Sequence, residues 1–473
     1  MNYCDMSAPA LLAGYRNGDF SPVHVIADFL ARIDRLDPLY KAFRIVDYEG
    51  AMQAAAASEQ RWLACAPLSA FDGLPASLKD QWPLRGFATR SGSVTTDPAK
   101  LATEDAPAAQ RLREGGAVFV GKTNLCEFSW NGVTRSSLSG ESRNPWNADK
   151  NCGGSSGGAA IAAAARLSIL NIGSDGAGSI RIPAAFCGVF GLKPTYGRVP
   201  AYPQGLLINC SHTGPLTKTV FEAALMMDSI TRYDPREWLA TGDPEPRYVA
   251  DLDAGIAGWR IGYCRTLGGA QADPEVLQVV DEALKVFVAQ GATVTEVEDE
   301  FTDPRAAFEV IYESSLAASL DNFSQQQQAF LDPGLVRNAK RGSRHSVQTL
   351  IRAFGAREEM GREMNLFHER FDLLITPQLA VTAFDCGSDV PPGRGMREWL
   401  DWSPFTYMFN LTQQPAASVP CGFDVNGLPV ALQIVGPRHG DKRVLQAARA
   451  FEQIRPFALP FLPGEVCATT ATP

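Results

Sequence analysis

Apolar residues recur at helical spacing over the first sixty positions, where Val25, Ile26, Phe29, Leu30 and Ile33 fall on one face. Ser7 and Ser21 stand where helix N-caps belong, Pro22 sits in the first turn behind Ser21, and Asn17-Gly18 supplies a stop. From residue 74 the texture changes to short apolar runs separated by amphipathic stretches. "LPASL" leads into Lys79, "AVFVG" spans 117–121 and "LSILNIG" spans 167–173. "WRIGYC" (259–264) precedes a helix that Asp273-Pro274 opens and Gly291 closes, and "ATVTEVE" follows. "FDLLITP" and "ASVPCGF" read as strands, and Asn426-Gly427 predicts a hairpin turn into "LPVALQIVG". This alternation predicts an α/β fold, a large mixed sheet covered by helices on both faces. No Pro/Gly/Ser linker or charge run divides the chain. Residues 302–356, with "SQQQQ" at 324–328, are the least regular and read as helices of a variable cap.

Composition narrows the class. With 473 residues, 45% hydrophobic and 20% charged, the chain reads as a soluble globular protein with a packed interior. A net charge of −9 argues against non-specific nucleic-acid binding. Ten cysteines without a C-x-x-C pair suggest neither a zinc site nor a disulfide framework, and a reducing compartment is the simpler expectation. The N-terminus has no basic start followed by an apolar stretch, so no signal peptide is expected. The longest apolar tract, 159–173, is interrupted by Arg166, Ser168 and Asn171 and cannot span a bilayer. A cytoplasmic location, no membrane contact and a monomer or homodimer are expected.

Three motifs compete for the chemistry. "GAVFVGKT" (116–123) satisfies G-x-x-x-x-G-K-[ST], but its spacers Ala117, Val118, Phe119 and Val120 form a buried strand instead of a loop around phosphates. Lys122 then reads as a strand-end residue. "GGSSG" (153–157) satisfies G-x-S-x-G, whose elbow needs a strand immediately before it. The polar, proline-containing "NPWNADKNC" cannot be that strand, and "GGAAIAAAAR" is a helix start, so Ser155 and Ser156 read as caps that could also do chemistry. The third is "GSDGAGS" (173–179), which lies between the strand "LSILNIG" and a helix beginning "IRIPAAFCG". Free N–H groups and the positive end of a helix suit an oxyanion there. On the local pattern alone, Ser179 is equally a nucleophile or a helix cap. Five histidines are present, and the closest to Ser179, His212, is not in the motif.

The stretch 153–195, "GGSSGGAAIAAAARLSILNIGSDGAGSIRIPAAFCGVFGLKPT", resembles the signature segment of the amidase signature family of serine hydrolases. "LPASLKD", "GAVFVGKTNLCEF" and "FNLTQQPAASVPCGFDVNGLPVALQIVG" resemble further segments of that family, so the resemblance runs from about residue 10 to 455. It implies a single α/β/α domain over 1–473. Within that domain, 1–65 would be a helical segment on the core, 66–230 the catalytic core, 302–402 the substrate entrance, and 403–473 the C-terminal strands and helix. Motif by motif, it implies a nucleophile at Ser179, a bridging serine at Ser155 with a cis peptide between it and Ser156, and a base at Lys79. Gly176, Ala177, Gly178 and Ser179 would supply oxyanion amides, with Ser156, Asp175 and Arg181 in support. Gln81, Trp82, Ser129, Trp130 and Asn131 would line the acyl pocket. Ser174 departs from the family's usual threonine and Ala177 from its usual glycine.

The relay implied is a serine whose proton passes through Ser155 to Lys79. A lysine serves as base only when neutral, which at a reference pKa of about 10.4 leaves fewer than one in a thousand available at pH 7. Burial beside the apolar strand would lower that value, and an ionised Asp80 close by would oppose the shift. The resemblance implies hydrolysis of an amide-type bond (amide, anilide, carbamate or ester) in a small, apolar or aromatic substrate through an acyl-enzyme. No metal or organic cofactor is required. The alternative is a glutaminase-type subunit of a tRNA-dependent amidotransferase. That branch usually carries a phenylalanine/serine-rich stretch where this chain has "AYPQGLLINCSHTGP".

Overall fold

The strands that carry the site are short and almost wholly buried, and their order sets what meets what. The computed structural model describes residues 2–242 and 247–465. β1 (Phe43–Val46), β2 (Pro75–Lys79) and β3 (Val118–Thr123) precede a small hairpin of β4 (Arg135–Ser136) and β5 (Gly140–Glu141). β6 (Leu170–Asp175), β7 (Phe190–Lys193), β8 (His212–Thr217), β9 (Arg260–Tyr263) and β10 (Thr293–Glu296) follow. β11 (Leu373–Pro377), β12 (Ala416–Phe423) and β13 (Pro429–Val435) come last. All but the small hairpin join one eleven-stranded sheet in the order β1-β3-β2-β6-β8-β7-β12-β13-β11-β9-β10. β2 is parallel to both β3 and β6, and β6 is antiparallel to β8. The sheet is mixed, as the alternating pattern predicts.

Side chains alternate across each strand, so β2 divides its residues between two layers. Ala76 and Leu78 pack into one core with Leu112 and Val220, from the helices Pro107–Glu114 and Val220–Ile230. Ser77 and Lys79 are turned the other way and are equally buried. On that second face lie the helix Gly157–Ala164, every residue of it buried, and the helix Arg181–Cys187. The two helices present Ile161 and Ala184 to a core shared with Ile26, Leu30 and Val120. Further out, Arg305–Leu320, Pro333–Gly342 and Val347–Arg370 form the helical cap expected over 302–356.

Three strands of the large sheet fall outside the predicted set, as do both strands of the small hairpin. β1 interrupts the stretch expected to be helical throughout. β7 is four residues long and flanked by Gly188 and Pro194, which blur its pattern. β8 carries Gly214-Pro215, a pair that ordinarily marks a turn, yet it sits between β6 and β7 in the middle of the sheet. β6 also ends two residues later than "LSILNIG" suggests, so Ser174 and Asp175 belong to the strand. No helix among the described residues is long and apolar enough to cross a membrane, and the nine described cysteines are free.

Candidate active site

Lys79 ends β2 with no exposed surface. Its Nζ lies 2.7 Å from Ser155 Oγ and 2.8 Å from Ser174 Oγ, so the parallel pairing of β2 with β6 delivers the lysine to the end of the neighbouring strand. Burial lowers its pKa from the usual 10.5 to about 7, against the opposing pulls of Cys126 and Asp175. Asp80 does not join them. It turns away to Lys122 Nζ and Arg44 Nε, each at 2.8 Å, which accounts for Lys122 as the partner in a buried ion pair on a strand and not a phosphate ligand.

Ser155 precedes the helix Gly157–Ala164, and the cis peptide is the bond Gly154–Ser155. That corrects the expectation of a cis bond between Ser155 and Ser156. Gly154 is required by space, because a Cβ there would stand 2.7 Å from the Val133 carbonyl carbon. Ser156 occupies the N-cap position, but its side chain makes no capping bond. Its hydroxyl donates to the Ser174 carbonyl at 3.0 Å and accepts the Ser174 amide at 3.2 Å. Its own amide donates to the Ser179 carbonyl at 3.1 Å. Ser156 thus ties the start of that helix to both ends of the loop 174–179.

Within that loop Asp175 acts as a template. Its Oδ1 accepts the Gly178 amide at 2.7 Å, and its Oδ2 accepts the Ile180 amide at 3.1 Å. Arg181 grips both oxygens at 2.9 Å and reaches on to the Thr406 carbonyl, Asn410 Oδ1 and Gln433 Oε1. Burial pushes the Asp175 carboxyl up, but Arg181, Lys193 and Asn410 outweigh it and hold the carboxyl well below the usual range. Gly178 adopts φ +122°, and a Cβ there would lie 2.8 Å from both Ile182 Cδ1 and Thr406 Cβ.

The four expected oxyanion donors are therefore not equivalent. The Gly178 amide is committed to Asp175, which corrects its assignment. Among the described residues, the amides of Gly176, Ala177 and Ser179 meet no protein acceptor. His212 is no substitute base. It is buried, with Nδ1 against the Cys210 carbonyl at 2.8 Å, and burial holds its pKa well below the usual value.

A narrow cleft of about 30 Å³, room for roughly two waters, opens at this point. Ser155, Ser174, Gly176, Ala177 and Ser179 form its floor; Gln81, Ser129, Leu206, Leu207, Ser211, Tyr312 and Trp399 form its walls. Ser179 is 8% exposed, whereas Lys79 and Ser155 are wholly buried. Of the five expected pocket residues, Gln81 and Ser129 line the cleft and the other three do not. Trp82 packs into the opposite core, because a turn (Trp82 N–H to the Lys79 carbonyl, 3.1 Å) directs it there. Trp130 is buried against Gly334 and Tyr312, and Asn131 is folded back onto Cys126, its amide donating to Sγ at 3.3 Å. The 302–356 and 385–402 regions each contribute one wall residue, Tyr312 and Trp399. Ser174, Leu206, Leu207 and Ser211 lie outside the set of site residues that the sequence predicts. The signals for them are the unusual serine at 174 and the stretch 201–215, where the resemblance sets this chain apart from the amidotransferase branch.

Comparisons with known proteins bear on the chain as a whole. The family model described as Amidase matches residues 24–445. An acylamidase from Rhodococcus erythropolis is 35% identical over 96% of both chains. A glutamyl-tRNA(Gln) amidotransferase subunit from Myxococcus xanthus is 34% identical over 97% of this chain and 99% of its own. The crystal structure of a bacterial aryl acylamidase of the amidase signature enzymes superimposes with a TM-score of 0.89, at 28% identity and 96% coverage of each chain. This chain belongs to the Amidase family and is an amide-hydrolysing enzyme of the amidase signature type.

Proposed function

We propose that the protein hydrolyses small neutral amides through an acyl-enzyme on Ser179, with Ser155 and Lys79 relaying the proton. The observation that carries this reading is Lys79 itself. It is buried, 2.7 Å from Ser155, and at about pKa 7 it is near half neutral at pH 7. Ser179 gives its proton to Ser155 as it attacks the carbonyl, and Ser155 gives its own to Lys79. The amides of Gly176, Ala177 and Ser179 receive the oxyanion. Return of the proton along the same path releases the amine, and water then releases the acid. Anilides, esters and carbamates present the same carbonyl.

The cleft walls favour an uncharged, partly aromatic substrate. They comprise Leu206, Leu207, Tyr312 and Trp399 with neutral polar groups, and no side chain among the lining residues carries a charge. Free glutamine would bring an ammonium and a carboxylate into such a cleft without partners, at a high desolvation cost. A free-standing amidase is therefore the reading preferred over an amidotransferase component, despite the 34% identity to one. The test is hydrolysis of acetanilide and of glutamine by the purified chain alone. Anilide turnover without any partner protein supports the reading. Glutaminase activity that appears only with added partner proteins contradicts it.

A further inference from the structure

The orientation of one amide in the cleft follows from the direction of three protons. Lys79 Nζ offers Ser174 Oγ a proton at 2.8 Å, and in its neutral form its lone pair is needed toward Ser155. Ser174 Oγ, having accepted from Lys79, directs its own proton to Gln81 Oε1 at 2.6 Å. Ser129 Oγ donates to that same oxygen at 2.9 Å. Gln81 is thus held by its carbonyl, and its Nε2 points away from both serines. It borders the loop 205–211: a Cβ built on Gly205 would lie 3.6 Å from Gln81 Nε2 and 2.7 Å from Ser211 Oγ. Ser211 Oγ accepts the Leu207 amide at 3.3 Å. Among the described residues, neither Gln81 Nε2 nor the Ser211 hydroxyl has an acceptor for its protons. This corner of the cleft thus offers two donors whose protons are uncommitted, beside the apolar walls of Leu206, Leu207, Tyr312 and Trp399.

We propose that Gln81 Nε2, with Ser211 Oγ beside it, selects substrates that carry a second hydrogen-bond acceptor, such as an ether or carbonyl oxygen, a few bonds from the scissile carbonyl. The proposal rests on the reading of the Ser179 cleft as the substrate site. An isosteric substrate with a methylene in place of that oxygen would seal a donor away from water without a partner, and so binds less well. One neutral hydrogen bond corresponds to a preference of roughly fivefold.

Two matched pairs test it on the two sides of the scissile bond: methoxyacetanilide against butyranilide, and N-(3-methoxyphenyl)acetamide against N-(3-ethylphenyl)acetamide. Dissociation constants are measured by calorimetry on the Ser179→Ala chain, and kcat/KM on the wild type. In one pair the ether should bind roughly fivefold tighter. Adding Gln81→Glu, whose carboxylate still accepts from Ser129 and Ser174 but offers no donor, should abolish that preference. Gln81→Leu should do the same. Equal binding of both members in both pairs, or a preference that survives both substitutions, overturns the proposal. A Gln81-dependent binding preference without wild-type turnover would instead leave this proposal standing and refute the hydrolytic reading.

Discussion

Lys79 must be buried enough to lose its proton near neutrality and yet be hydrogen-bonded well enough to stay in place. Two serine hydroxyls meet the second demand, and the diversion of Asp80 to Lys122 and Arg44 protects the first. With neutral Lys79 as the proposed base, kcat/KM should climb as pH rises through about 7 and then level off, following the Lys79 pKa. Lys79→Met should remove that limb together with most of the activity. A rate independent of pH from 5 to 9, on a substrate whose chemistry is limiting, would contradict a neutral-lysine base. The two adjacent serines should separate in the same way. Ser155→Ala removes the proposed relay, so single-turnover acylation should fall by about 10²–10⁴-fold. Ser156→Ala should act mainly on stability. It leaves the buried Ser174 amide and carbonyl without their bridging hydroxyl, at about 1–3 kcal/mol in urea unfolding, with a smaller loss of rate. A larger loss of acylation at Ser156 than at Ser155 would reverse the assignment.

The loop 174–179 and the helix behind it act as one element built around the Asp175–Arg181 pair. The Asp175 pKa in the fold lies below its ordinary value of 3.8. Its contribution to stability is therefore present above about pH 4 and is lost as pH falls through the lower, folded value. Asp175→Asn should be less stable at pH 7 by about 3–5 kcal/mol, because Arg181 is left buried without its counter-charge. The variant's stability should also fall less steeply than the wild type's below pH 4. Urea midpoints measured from pH 2 to 7 check both, and superimposable curves would refute the role given to the pair. This element is legible in the sequence as far as local pattern reaches: an apolar run, a glycine loop with a serine, and a helix start are all contiguous. The walls of the cleft are not. Leu206, Leu207, Tyr312 and Trp399 come together only through the packing of segments far apart in the chain. Gln81 and Trp82 are adjacent, and only the turn after β2 decides that one faces the cleft and the other the core. β8 is hidden for a related reason, since Gly214-Pro215 signals a turn locally while its neighbours β6 and β7 hold it in the sheet.

At the scale of the whole molecule, the eleven-stranded sheet brings together three segments that are separate in sequence: the end of β2, the start of the helix at Gly157, and the turn after β6. The helical cap and the 385–402 segment then close the cleft from above with Tyr312 and Trp399, whose rings meet edge to face at 6.0 Å. Among the described serines that line the cleft, Ser179 stands within the run of amides at 176, 177 and 179 that have no protein acceptor, and that is the basis for proposing it as the nucleophile. The most direct test is to trap the acyl-enzyme. The purified chain is acylated with an aryl carbamate, whose carbamoyl-serine hydrolyses slowly, then digested with trypsin and sequenced by tandem mass spectrometry. The expected result is a carbamoyl mass on Ser179 within the peptide 167–181, and no label in the Ser179→Ala chain. A label on Ser155 or Ser174 instead, or full carbamate turnover by Ser179→Ala, would contradict it.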